Sequence, residues 1–152
     1  MLILSEMTPP RPLDRRVGYL LKRAQQALRS RIDEALSDLG LTAPQYAVLA
    51  NLGEQPGMSN AELARRSFVT PQTMIRIVTG LEDRGLIIRT PRLDNRKVLA
   101  ANLTRQGSEL AELADLAVAP VEQLIGRGLS DAEVGALAGQ LTELADRLEE
   151  AG

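Results

Sequence analysis

The chain has no cysteine and no histidine among its 152 residues. Without cysteine, disulfides, thiolate metal sites and thiol redox sensing are excluded. Without histidine, the commonest general acid–base and the commonest metal ligand are missing. Lysine is nearly absent too (Lys22 and Lys97 only), and no pair of carboxylates stands out. An enzyme is therefore not expected, nor is a cofactor. Aromatic residues amount to 2%, namely Tyr19, Tyr46 and Phe68. The core must be built from Leu, Ile, Val and Ala, a composition that suits helices. No run of apolar residues reaches membrane-spanning length, and the start of the chain lacks the pattern of a signal peptide. A cytoplasmic protein is expected.

What is present is 44% apolar residues, enough for one domain with its own core. Residues 1–12 carry Pro9, Pro10 and Pro12 and read as a flexible arm, with a single domain over 13–152. The formal net charge is −2 but is unevenly spread. Residues 1–58 carry +1, residues 59–100 carry +4, and residues 101–152 carry −7. A basic middle with an acidic tail sets aside one face for phosphates.

Apolar positions from Val17 to Leu39 recur at helical spacing over residues 14–39, with Gly40 as the stop. A helix this long on a small domain reaches beyond its own core and invites a partner. Thr42-Ala-Pro-Gln45, Ser59-Asn-Ala-Glu62 and Ser130-Asp-Ala-Glu133 are capping-box arrangements. Thr70-Pro71 sets a capping hydroxyl before a proline suited to a first helical turn. The predicted helices are 43–53, 60–66, 71–84 and 131–149. Between them, residues 86–90 and 98–103 read as two strands joined by a charged loop, a hairpin. Thr104 caps a further helix, in which Pro120 is expected to cause a kink or break near Leu116. The last helix repeats Val134, Leu137, Leu141, Leu144 and Leu148, a narrow stripe near heptad spacing. The fold expected is mostly α with a small β-hairpin.

A short capped helix, a four-residue turn, a second capped helix and a charged hairpin have the spacing of a helix-turn-helix with a wing. In that arrangement the second helix enters the major groove with its N-terminal residues against base edges. Its polar side shows Gln72, Thr73 and Arg76, suited to adenine, a thymine methyl and guanine respectively. On the hairpin, Arg89, Arg92, Arg96 and Lys97 supply cations, and Asp94 is spaced to brace Arg96 for a minor groove. An amphipathic helix with a solvated face and an ordinary charged turn remain the plainer readings of each piece alone.

Taken together, Leu41-Thr-Ala-Pro-Gln-Tyr-Ala-Val-Leu49, Ser59-Asn-Ala-Glu-Leu-Ala64, Val69-Thr-Pro-Gln-Thr73, Leu81-Glu-Asp-Arg-Gly-Leu-Ile87, Asp94-Asn-Arg96 and Leu103-Thr-Arg-Gln-Gly107 resemble the MarR (multiple-antibiotic-resistance) winged-helix regulators. The likeness runs from about Val17 to Leu148. It implies a homodimer held by terminal helices (13–40 and 104–152), with a DNA-binding lobe at about 41–103. It further implies repression of genes from double-stranded DNA and release by a small, often phenolic or aromatic, anionic ligand. On this resemblance Thr70, Gln72, Thr73 and Arg76 face DNA, with Arg96 and Asp94 as the wing pair; Ser59 and Pro71 are expected to contact DNA beside them. Tyr19, Arg23 and Tyr46 are the candidates for the ligand crevice. Three departures stand out: Pro120 inside a helix the family keeps long, Asn95 where another Arg is common, and the lack of Cys and His used by peroxide- and zinc-sensing members. A winged-helix module that contacts protein rather than DNA is the competing expectation.

Overall fold

The computed structural model describes residues 11–152; the first ten positions of the proline-bearing arm, Pro9 and Pro10 among them, lie outside the described residues. The elements run in the order α1 (Val17–Leu36), α2 (Ala43–Glu54), α3 (Asn60–Arg66), α4 (Pro71–Asp83), β1 (Ile87–Pro91), β2 (Leu99–Leu103), α5 (Arg105–Ile125) and α6 (Asp131–Glu150). A 3-10 turn, Leu13–Arg15, precedes α1, and a second, Ser37–Leu39, closes it. Gly40 then takes a left-handed conformation at φ 65°, which a side chain would resist.

The helix starts are set by local chemistry. Thr42 and Ser59 form complete capping boxes with Gln45 and Glu62. The hydroxyls of Thr70, Thr104 and Ser130 accept the backbone N–H groups of Thr73, Gly107 and Glu133. Each bond satisfies a donor that the helix leaves unpaired at its start.

One core joins these elements. Leu36 from α1, Val48, Leu49 and Leu52 from α2, Leu63 from α3, and Met74, Val78 and Leu81 from α4 are almost wholly buried together. Ile87 and Ala101 from the hairpin and Ala111, Ala114 and Val118 from α5 complete it. The buried stripe of α4 is as expected, with Ile77 only partly covered. No charged or polar residue is buried among the described residues. The core is therefore an aliphatic one, held by area removed from water.

The hairpin is antiparallel, pairing Ile87 with Leu103, Arg89 with Ala101 and Pro91 with Leu99. A further bridge ties Met58 to Ala101, so the segment before α3 lies against β2. This fixes the wing to the start of the helix-turn-helix.

Pro120 does not break its helix: α5 is continuous from Arg105 to Ile125. The bond a proline deletes is the one to the carbonyl four residues earlier, here that of Leu116. Leu116 is 72% exposed, so the freed carbonyl belongs to a residue on the solvent-facing side of the helix. α6 is the outlier of the fold. None of its residues is buried, and Val134, Leu141 and Leu148 stand exposed. No helix among the described residues is long and apolar enough to cross a membrane.

Candidate nucleic-acid interface

α3 and α4 are joined by the turn 67–70, and α3 packs across α4. Asn60, at the start of α3, donates from its side-chain amide to the Pro71 carbonyl at 3.3 Å, tying the two helix starts together. Burial of Met74, Val78 and Leu81 fixes the rotation of α4. Gln72 and Arg76 are thereby exposed and Thr73 is half-exposed. The Thr70 hydroxyl accepts from Thr73 N–H at 3.2 Å and lies 3.0 Å from the Thr73 hydroxyl. Pro71 and Thr70 are exposed at the same end. Thr70, Pro71, Gln72, Thr73 and Arg76 thus form one accessible surface at the N-terminal end of α4.

The hairpin loop is closed by the Arg92 N–H donating to the Val98 carbonyl at 2.8 Å. Its cations divide into two kinds. Arg89 and Arg92, expected as DNA contacts, are engaged within the chain. Arg89 grips Glu82 of α4 with two hydrogen bonds, 3.2 Å from Nε and 3.0 Å from Nη2. Arg92 donates to Glu62 at 2.7 Å and to the Gly57 carbonyl at 3.0 Å. The two-pronged geometry at Arg89 suits a guanidinium and could not be matched by Lys. These arginines lock the wing to α4 and to α3. Arg96 and Lys97, by contrast, are exposed and form no ion pair with any described residue.

The expected Asp94–Arg96 brace is not formed among the described residues. The loop is braced one position later, where the Asn95 side-chain oxygen accepts from Lys97 N–H at 3.2 Å and its carbonyl from Val98 N–H at 3.0 Å. Asn suits this because its side chain readily bonds the backbone two residues on. Asp94 is left exposed beside Arg96. Ser59 serves structure first, as the cap of α3. It also lines a cleft of about 400 Å³ between α4 and the hairpin, together with Ile75, Arg89 and Lys97.

Glu62 is the residue that sequence reasoning valued too little. Its carboxylate accepts from Ser59 N–H at 2.7 Å while also taking the Arg92 bond. The Ser59 N–H, then Arg92, hold its pKa below the ordinary carboxylate value. Arg89 does the same for Glu82. Both pKa values are lowered on folding, so the stabilisation is complete above the unfolded value of about 4.3. It is lost as pH falls through the lower folded values. Denaturation midpoints measured from pH 6 to pH 3 should therefore decline more steeply for wild type than for Glu62→Gln. Parallel curves would mean that the clamp holds no titrating charge.

The ligand candidates do not gather in one place. Tyr19 and Arg23 share a hollow of about 450 Å³ on α1 with Lys22, Gln26, Ala27 and Ser30. Tyr46 is on α2, and its hydroxyl donates to Asp115 of α5 at 2.7 Å. Burial, then the Asp115 carboxylate, pushes its pKa well above that of a free phenol. Tyr46 is a strut between α2 and α5 and is not part of the Tyr19 hollow.

Two helices in helix-turn-helix relation, with a braced wing directly after them, define a winged-helix DNA-binding protein. The MarR family model matches residues 41–99. The HTH-type transcriptional repressor Rv2887 of Mycobacterium tuberculosis is 43% identical over 105 residues, 69% of this chain and 76% of that protein. The crystal structure of Rv2887 in complex with p-aminosalicylic acid superposes with a TM-score of 0.70 at 36% identity, over 86% of this chain and 98% of that one. CouR from Rhodococcus jostii RHA1, crystallised with p-coumaroyl-CoA, superposes with a TM-score of 0.81 at 26% identity, over 90% and 96% of the two chains. The chain belongs to the MarR family. It is a winged-helix transcriptional regulator that binds DNA, and not an enzyme.

Proposed function

We propose that the protein is a cytoplasmic repressor that binds a pseudo-palindromic operator as a homodimer and leaves it when a small anionic aromatic ligand binds. The observation that carries the DNA reading is the exposed N-terminal end of α4 beside a wing whose frame is locked and whose outer cations pair with no described residue. Residues 41–103 act as the reading lobe, with 13–40 and 104–152 as the dimerisation helices. Arg76 takes guanine through paired bonds, Gln72 takes adenine, and Thr73 meets a thymine methyl. Thr70, Pro71 and Ser59 approach the phosphate backbone. Arg96 and Lys97 reach the minor groove, with Asp94 limiting the positive charge there. Two-fold symmetry then requires half-sites roughly 10 bp apart.

For the effector, the Tyr19 ring and the Lys22 and Arg23 cations line one hollow, a surface suited to an aromatic carboxylate. The p-aminosalicylic acid complex of Rv2887 and the p-coumaroyl-CoA complex of CouR support that class.

Titration of a duplex bearing the gene's own upstream region, at two salt concentrations, tests the DNA reading. Arg76→Ala is expected to cost about 1–3 kcal/mol and to relax preference at one base position. Arg96→Ala is expected to weaken binding to all sequences and reduce the salt slope by about one. If both variants bound like wild type, this face would not be the reader and a protein-contacting module would take its place. For the effector, aromatic acids that raise the melting temperature should also release the duplex, and Arg23→Ala should blunt both effects.

A further inference from the structure

The turn between α3 and α4 contains Phe68 at φ 55°, the one non-glycine residue with positive φ among those described. Left-handed backbone brings Cβ against the carbonyl oxygen, and a bulky side chain rarely adopts it. The ring itself offsets none of this, being 90% exposed and outside the core. The backbone around it is held: Phe68 N–H donates to the Arg65 carbonyl at 3.3 Å and Val69 N–H to the Ala64 carbonyl at 3.1 Å. Val69 then packs against the core. These bonds close the C-terminus of α3 and account for the left-handed backbone, but not for an aromatic ring that gains no burial there. A large ring kept in solvent where glycine would fit without strain points to a contact outside the chain.

Its place in the fold indicates which function. Phe68 stands two residues before Thr70, the cap of α4, at the end of the helix that leads into the groove. Pro71, Gln72 and Arg76, which follow it at the same end of α4, are exposed as well. We propose that Phe68 is a DNA-contacting residue whose ring packs on deoxyribose and thymine-methyl carbons at the rim of the major groove. This inference rests on α4 being the reading helix. Duplex DNA is the occupant because the ring stands at that end of α4. An aromatic ring also supplies a large contact area with only two torsions to fix. A contact made through carbon neutralises no phosphate and releases no counterion. Its loss weakens binding without altering the salt slope.

The test compares Phe68→Gly, Phe68→Leu and Arg76→Ala in the full chain, each titrated on the upstream-region duplex and melted alone. Glycine accepts φ 55° without strain. Phe68→Gly should melt several degrees higher than wild type yet bind about tenfold more weakly, with an unchanged salt slope. Phe68→Leu keeps the strain and part of the apolar surface, so a smaller loss of affinity with no gain in melting temperature is expected. Higher stability with unchanged affinity would overturn the proposal, as would a fall in melting temperature or a shallower salt slope. If Phe68→Gly is silent while Arg76→Ala loses affinity, only the role of Phe68 fails. If Arg76→Ala is silent as well, the reading role of α4 fails with it.

Discussion

Gly107→Ala is expected to lower the melting temperature by about 6–12 °C, although alanine is the better helix former. Gly107 is buried in the first turn of α5, where that helix crosses the entry to β1. A Cβ at this position would overlap the Leu86 carbonyl oxygen and stand 2.9 Å from its carbonyl carbon. The obstructing atoms are backbone, so no side-chain rotation relieves them. The Leu86 carbonyl is itself held by the Thr104 N–H at 3.0 Å, and the Thr104 hydroxyl donates to the Gly85 carbonyl at 2.6 Å. Either α5 or the chain at Leu86 must move. Overpacking of this kind costs up to about 3 kcal/mol, which on a chain of this size gives the stated shift at roughly 2–4 °C per kcal/mol. Gly53, within α2, has nothing within 4 Å of an added Cβ. Gly53→Ala should stabilise by up to about 1 kcal/mol, the ordinary helix preference. A Gly107→Ala protein as stable as wild type would contradict this packing of α5 on Leu86. The variant should also bind DNA less well than its residual stability implies, because Leu86 leads directly into the wing.

The double variant Leu141→Asp, Leu148→Asp should convert a dimer into a monomer and reduce operator affinity by roughly 100-fold or more, while the single chain keeps its fold. Both residues lie on the apolar stripe of α6, and both are exposed in the single chain. A stripe at heptad-like spacing on a helix that buries none of its own residues needs a facing surface. In a two-fold assembly each substitution is present twice, and a carboxylate buried at such a seam is expensive. Losing the dimer uncouples two half-site contacts, and linked binding of this sort is worth about 10²–10⁴ in affinity. Light scattering reads the first effect and the duplex titration the second. A variant that stayed dimeric would remove α6 from the interface; one that became monomeric with unchanged affinity would remove the need for two readers.

These expectations differ in how early they become legible. The starts of α2, α3, α4, α5 and α6 were readable from the sequence because a cap is a conversation over three residues. Thr42 with Gln45 and Ser59 with Glu62 specify it wherever they occur. The hairpin was readable from its β-branched runs, and the exposed face of α4 from the spacing of Met74, Val78 and Leu81. The match in family motifs added the dimer and the effector class.

The partners of the wing arginines were not readable in this way. Arg89 finds Glu82 seven residues away, and Arg92 finds Glu62 thirty away and Gly57 thirty-five away. No local rule separates them from Arg96, which is equally charged and pairs with no described residue. The brace went to Asn95 and not Asp94, because the loop's backbone path decides which side chain meets Lys97 N–H. Pro120 was read by its general cost, but that cost depends on whether Leu116 faces water. For Phe68 a signal did exist: a four-residue turn between capped helices, 67–70, with no glycine to take the left-handed position.

By itself the sequence determined the element order, the aliphatic core, the basic middle segment and the family, since each depends on residue type at short spacing. Only the tertiary structure decided which cations are clamps and which pair with no described residue, that Tyr46 serves as a strut, that α5 runs unbroken and that no residue of α6 is buried among the described residues. Those are matters of long-range proximity and exposure to water, and packing sets both.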